Sequence, residues 1–321
     1  MSGIKNVLVT GATGFIGRAL CTRMLTEGWQ VHGTVRSDRD SNRLPESIEP
    51  VSIGSIGADT NWDGKLRGID TFVHLAARVH VMDDTSVNPL EAFREVNVAG
   101  TKQLAQSAVS AGVRRFVFMS SVKVNGEGRE TAYTEEDEEA PEDPYGLSKW
   151  EAEQELRKIY HMSGLETVIL RPPLVYGPGV KANFYNLLKI VDRGIPLPLA
   201  KIDNRRSFIY LHNLIDAIIT CINHPGAKGQ TFLVNDRQDV STPTLIRKIA
   251  SAMGKPARLF SIPAFLMQMA GKLSGKTASV DRLFESLTVD STKIKNEIGW
   301  NPPYTMEYGL KETAKWYTKK L

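Results

Sequence analysis

The feature that most limits what this chain can fold into is Gly11-Ala-Thr-Gly14-Phe-Ile-Gly17, which directly follows the short apolar run Asn6 to Thr10. A strand that turns through three spaced glycines into an amphipathic stretch, Phe15 to Glu27, is the opening of a βαβ unit. Glycines are needed there because the turn is tight and a side chain would block close approach of a pyrophosphate. The third glycine lets the helix pack against the strand. The uncapped helix N-terminus presents N–H groups and a positive dipole end to phosphate. Gly11, Thr13, Gly14, Phe15, Ile16 and Gly17 are therefore expected to hold a dinucleotide.

The rest of the first half continues the same alternation. Strands are expected at Gln30 to Val35, Val51 to Ile53, Thr71 to Leu75, Arg115 to Met119 and Glu166 to Leu170, with helices over about 90–111 and 146–161. This pattern predicts an α/β fold with a doubly wound parallel sheet. Beyond Val175, prolines punctuate shorter elements, as in the loops and small helices that wall a cleft. Thr231 to Val234 still reads as a strand, so the later part is expected to return to the sheet. The acidic run Glu135 to Glu139 reads as a solvated loop, and the Met-rich stretch Ile262 to Leu273 as core or interface packing.

Composition narrows the function classes. Forty basic against 36 acidic side chains leave a formal charge of +4, too small and too evenly spread for a general nucleic-acid binder. No apolar run reaches the ~20 residues of a membrane span, and no signal-peptide pattern opens the chain. A cytoplasmic protein is expected. Cys21 and Cys221 stand far apart with no CxxC partner, so both read as small buried hydrophobes; neither a disulfide nor a metal site is expected.

Two further motifs carry chemistry. The strand Arg115 to Met119 delivers Ser120-Ser121 at its carboxyl end, where ligands bind in open α/β sheets. Tyr145 and Lys149 lie at i and i+4 near a helix start, so the ammonium sits on the same face as the phenol. A neighbouring cation favours phenolate and would bring a group of ordinary pKa ~10 into a useful range. At the end of the second strand the chain reads Val35-Arg36-Ser37, with no carboxylate for ribose hydroxyls; Asp38 and Asp40 come later, among Arg39 and Arg43. Arg36 favours NADP(H), with NAD(H) as the alternative.

Taken together these pieces resemble an extended short-chain dehydrogenase/reductase of the NAD(P)-dependent nucleotide-sugar epimerase/dehydratase family, over nearly the whole length. The likeness is carried by Gly11 to Gly17, His74-Leu-Ala-Ala77, Asn97-Val-Ala-Gly-Thr101, Ser120-Ser121, Tyr145 to Lys149, Arg171-Pro-Pro-Leu-Val-Tyr-Gly-Pro178 and Gly299-Trp-Asn-Pro302. The resemblance implies a Rossmann-like dinucleotide-binding domain over 1–175 and a smaller nucleotide-sugar-binding region over 176–321, a segment near 205–245 returning to the first. It implies that Ser121 hydrogen-bonds the reacting sugar oxygen, Tyr145 transfers the proton, and Lys149 binds the nicotinamide ribose and lowers the tyrosine pKa. Leu75, Ala76, Ala77, Asn97 and Pro172 would line the cofactor, with Ser55 and Ile56 at its adenine end. Asn183, Phe184 and Arg206 would hold the nucleotide diphosphate, Arg282 being a weaker candidate. The family also implies a homodimer through the helix after Asn97 and the Tyr145 helix, with Leu104, Ala108, Trp150 and Leu156 either in that contact or in the core.

The departures from the family pattern bear on the reaction. Gly54-Ser55-Ile56 stands where Gly-Asp-Ile is usual, so the adenine contact must differ. Asn125 replaces a tyrosine. Val122-Lys123 stands where sugar 4,6-dehydratases carry Asp-Glu, which argues against dehydration, and neither cysteine lies where fucose-pathway epimerase-reductases use one. Two reactions at sugar C4 remain. Arg36 leans toward reduction of a UDP-4-keto-6-deoxy-hexosamine to UDP-N-acetylquinovosamine in bacterial surface-polysaccharide (lipopolysaccharide) synthesis. The alternative is a UDP-glucose or UDP-N-acetylglucosamine 4-epimerase with tightly bound NAD. A non-catalytic cofactor sensor would be expected to have lost Tyr145 or Lys149, and both are present.

Overall fold

The computed structural model describes residues 5–79, 88–263, 265, 267, 269, 272 and 284–320. Seven parallel strands form the main sheet in the order β3 (Glu49–Ser52), β2 (Gln30–Val35), β1 (Asn6–Thr10), β4 (Thr71–His74), β5 (Arg115–Met119), β6 (Glu166–Arg171), β9 (Thr231–Leu233). The order reverses between β1 and β4, and such a switch point opens a crevice at the carboxyl ends of the strands. The strands are apolar on both sides because both faces are covered. Val7 and Val9 face the helices α1 (Phe15–Thr26) and α6 (Leu211–Asn223). Leu8, Phe72 and Phe116 face α3 (Gly100–Ser110) and α4 (Pro144–Ser163) through Leu104, Ala108, Ala152 and Leu156. Cys21 and Cys221 are buried and free.

Local chemistry sets the helix that matters most. Asp143 caps α4 by accepting from the Gly146 N–H at 2.6 Å, Pro144 starts the first turn, and Gly164 ends it at φ +75°. Tyr145 thus lies in the first turn, ahead of the expected start. The single helix expected over 90–111 is instead α2 (Pro89–Arg94), a π turn over Glu95–Ala99, and α3. The π turn places Asn97 inside, and α3 presses close to the β3 loop: a Cβ on Gly100 would lie 2.5 Å from Ile56 Cγ2.

A second, two-stranded sheet pairs β7 (Leu174–Tyr176) with β8 (Phe208–Tyr210) in parallel. Three residues each are too few for a periodicity to read in the sequence. α5 (Ala182–Asp192), α7 (Thr242–Ala252) and the terminal helix Met306–Lys319 pack beside it, and their Leu188, Ile246 and Leu310 extend the core begun under α1.

One expectation needs correction here, and one alternative is decided. The acidic run is anchored rather than solvated: Glu135 accepts from the Leu233 N–H at 2.6 Å, Asp137 pairs with Arg129, and Glu139 bonds Arg171 at 2.9 Å. The Leu233 backbone and the buried Arg171 come from distant segments, which no local pattern reveals. Leu104, Ala108 and Leu156 lie in the core, and the outward face of α3 and α4 carries Lys102, Val109, Glu155 and Met162 instead.

Candidate active site

The glycine turn works through its backbone. Gly11 sits at φ +68°, and a Cβ there would press on the backbone at Ala76 at 3.0 Å; one on Gly17 would lie 2.1 Å from the Gly11 carbonyl oxygen. Helix α1 follows with no side-chain cap and no acid in its first turn, so its N-terminal dipole is uncompensated. Beside it opens a cleft of about 710 Å³ at the switch point. Gly11, Thr13 and Gly14 form one edge, Thr34 to Arg36 with Asp40 and Arg43 a second, Ile53 to Ile56 a third, and Leu75 to Val79 with Val96 the floor. Arg36, Ser55, Ile56, Leu75, Ala76 and Ala77 thus line one cleft. Bare backbone at Gly11 and Gly14, a dipole end and this elongated cleft fit a dinucleotide. Phe15 and Ile16 instead pack against the core; Gly17 serves helix contact.

Behind the cleft floor runs a buried relay that the sequence reading did not resolve. Thr101 spends its hydroxyl proton on the Asn97 carbonyl at 2.7 Å, so it accepts from His74 Nε2 at 3.0 Å. His74 Nδ1 then accepts from the Thr10 hydroxyl at 2.7 Å, and Thr10 Oγ1 accepts the N–H groups of Leu75 and Ala76, both at 3.1 Å. Asn97 accepts from the Arg78 N–H at 2.8 Å and donates to the Arg78 carbonyl and to Ser148, whose hydroxyl reaches the Tyr145 carbonyl at 2.8 Å. Asn97 is 1% exposed, so it holds the floor rather than lining it. Burial, with Lys149 adding repulsion, pushes the His74 pKa down to about 3, which keeps it the neutral tautomer this relay needs. The signal in the sequence was two polar residues, Thr10 and His74, paired in register at the ends of adjacent buried strands.

The reacting corner lies where β5 meets α4. Ser121 stands beside Tyr145 and lowers its pKa, and Phe93 stands edge-on to the tyrosine ring at 6.2 Å. Lys149 is 2% exposed, donates to the Met119 carbonyl at 2.7 Å and lies 4.4 Å over the Phe118 ring. Burial pushes the phenol up to about 12, with Asp143 raising it further; Ser121 is what lowers it. Burial pushes Lys149 down to about 7, against the pull of Glu153. Burial is thus the largest influence on the phenol. Desolvation dominates both groups, and the ammonium is spent on a backbone carbonyl.

Of the remaining expected residues, Pro172 adjoins this corner. Pro172 is buried and accepts from the Val122 N–H at 3.1 Å. Asn183 is exposed at the start of α5, while the Phe184 side chain stacks on Tyr176 in the core, leaving only its backbone for a ligand. Arg206 is half-buried, bridging by its backbone to Val240 and Leu287. Arg282 lies outside the described residues. Val122 is buried and Lys123 pairs with Glu127 and Asp143, so neither supplies the carboxylates of a dehydratase. Among the described residues no cluster of His, Cys, Asp or Glu could hold a metal ion, and no helix is long and apolar enough to cross a membrane.

Comparison with known proteins agrees with this geometry. The family model "NAD dependent epimerase/dehydratase family" matches residues 7–235. A UDP-glucose 4-epimerase of Vibrio cholerae is 46% identical over 316 residues, covering 97% of this chain and 94% of that protein. An N-acetyl-α-D-glucosaminyl-diphospho-ditrans,octacis-undecaprenol 4-epimerase of Escherichia coli O157:H7 is 29% identical over 97% of this chain and 95% of its own. Among solved structures, MoeE5 in complex with UDP-glucuronic acid and NAD superposes with a TM-score of 0.78 at 26% identity, covering 98% of this chain and all of that one (100%). With the glycine cradle, the switch-point cleft and the Ser–Tyr–Lys corner on one sheet, the chain belongs to the NAD-dependent epimerase/dehydratase family.

Proposed function

We propose that this enzyme is a UDP-sugar 4-epimerase that works with a retained NAD. The observation that carries the reading is the near-full-length similarity to the Vibrio UDP-glucose 4-epimerase, and the Ser121–Tyr145–Lys149 corner supplies the groups such a reaction needs. In this reading Gly11, Thr13 and Gly14 hold the dinucleotide's pyrophosphate, and Ser55, Ile56 and Arg36 border its adenosine end. When bound, the nicotinamide supplies reversible hydride exchange at the sugar carbon. Tyr145 takes the proton from the C4 hydroxyl oxygen as the carbonyl forms and returns it as the hydroxyl is restored, while Ser121 holds that oxygen in place. Lys149 supplies positive charge beside the phenolate. Asn183, the Phe184 backbone and Arg206 hold the diphosphate, Arg206 through its fork of donors. The same reading makes the protein a homodimer through the outward face of α3 and α4, where Met162 is 87% exposed.

This displaces the 4-keto reduction favoured by Arg36 alone. One observation still speaks for reduction: Arg36 lines the cleft at the end of β2, where a second phosphate would sit. The test is to incubate the purified protein, without added cofactor, with UDP-glucose and with UDP-N-acetylglucosamine and to resolve the products. Appearance of the C4-inverted sugar, abolished to within about 10²- to 10⁴-fold by Tyr145→Phe with folding unchanged, is the expected result. No inversion, together with NADPH consumption on a UDP-4-keto-6-deoxy sugar, would establish reduction instead.

A further inference from the structure

We infer that Glu153, outside the Ser–Tyr–Lys set, is a positioning residue of this site: it registers α4 on the end of β5 and supplies the buried negative charge beside Lys149. The inference rests on reading Ser121, Tyr145 and Lys149 as the reacting corner.

The register is visible as three successive residues on three successive turns. Met119 accepts from Lys149 Nζ at 2.7 Å, Ser120 donates to Glu153 Oε1 at 2.5 Å, and Ser121 stands beside Tyr145. Tyr145, Lys149 and Glu153 are spaced by four and so line one face of the helix. Ser120 is also bound through its N–H to the Leu170 carbonyl at 2.8 Å, so the carboxylate grips a point that the sheet already holds. A slip of α4 along β5 would break both ties together and part Ser121 from Tyr145.

The charge argument is separate. Glu153 is 0% exposed, and a buried carboxylate is costly unless its lone pairs are filled. Arg171, itself 0% exposed, bonds both its oxygens, at 3.0 and 2.6 Å, and Arg157 reaches Oε2 at 3.4 Å. Both guanidiniums also bond Glu139, at 2.9 and 3.2 Å. Two cations therefore face two carboxylates, and Lys149 adds one further positive charge one turn away. The other groups facing Lys149 are Tyr145 on its own helix and His74 on β4, both neutral near pH 7; Phe118 offers a ring face. Glu153 is the group whose charge favours the ammonium, against the desolvation that disfavours it. Neutralising it would leave Arg171 and Lys149 repelling each other in a dry interior.

The decisive measurement is titration of the Lys149 ε-carbon resonance in full-length protein labelled at lysine, assigned by loss of the signal in Lys149→Met. Glu153→Gln is expected to lower the midpoint by about one unit or more, and Glu153→Asp to restore most of it. The alkaline limb of kcat/KM should move with the midpoint. Ser120→Ala, which cuts the tie and keeps the charge, should lower kcat several-fold, by roughly the loss of one positioned hydrogen bond, with both pH limbs in place. If Glu153→Gln does not fold, Arg157→Gln removes a half-exposed cation from the same cluster and should shift the midpoint upward by a few tenths of a unit. A midpoint unmoved in Glu153→Gln, or in Arg157→Gln where that is the variant that folds, overturns the inference. The titration needs no substrate, so an inactive protein with a shifted midpoint would sink the epimerase reading and leave the role of Glu153 standing.

Discussion

The two halves of the candidate site are built on opposite principles. At the glycine turn, the proposed recognition is by main chain, and what matters is the side chain that is missing: at Gly17 even one carbon would meet the Gly11 carbonyl at 2.1 Å. At the β5–α4 corner, the proposed chemistry falls to side chains, and Ser121, Tyr145 and Lys149 are held by a buried set of partners. The first region tolerates no addition, and the second tolerates no loss of charge. The turn is therefore a steric device whose failure is abrupt, while the corner is an electrostatic device whose failure is graded and dependent on pH.

Breaking the turn should give the largest effect. In Gly17→Ala the new methyl presses on backbone that cannot rotate away, so α1 must shift from β1. We expect a stability loss of about 1–3 kcal/mol and loss of retained dinucleotide, read by thermal unfolding and by the nucleotide released on denaturation. Normal retention in a stable Gly17→Ala protein would refute the steric account.

The relay between the two regions gives an intermediate, pH-dependent effect. His74 ordinarily titrates near 6.5 but is held at about 3 in the folded chain. Its folded pKa is depressed, so the stability linked to it is fully present above pH 6.5 and is lost as pH falls toward 3. Between pH 6.5 and 5 the loss amounts to about 2 kcal/mol for this one group. Urea unfolding at pH 7 and pH 5 should show His74→Gln starting lower but falling less steeply than the parent; equal slopes would mean that His74 is not the group being charged.

The smallest effect concerns the rim of the cleft. Arg36→Ser should leave NADH binding within about threefold and weaken NADPH binding about tenfold or more, since only the latter offers a phosphate for the guanidinium. Comparing the two dissociation constants in one salt condition isolates that contact. An equal change in both would remove Arg36 from the discrimination.

Much of the sheet could be read before any coordinates. Asn6–Thr10, Gln30–Val35 and Arg115–Met119 appear with the expected bounds, because strands buried on both faces are short continuous apolar runs with turn residues at their ends. The π turn at Asn97 and the pair β7–β8 were not legible, since one extra residue in a helix and three-residue strands leave no period. Likewise Thr10, Thr101, Ser148 and Glu153 carry no motif of their own; each is an ordinary polar residue until a distant partner arrives.

What the sequence settled by itself is the backbone chemistry. Three glycines after a strand, a serine at a strand end and a tyrosine four residues before a lysine mark the cradle and the reacting set that the proposed function uses, because those constraints act within a few residues of chain. Tertiary structure alone decided the electrostatics. Burial is the largest influence on Tyr145, and the carboxylate beside Lys149 is held by an arginine from β6 and a serine just past β5. Desolvation and buried pairing depend on which segments of chain close over a group, and no local spacing along a sequence carries that information.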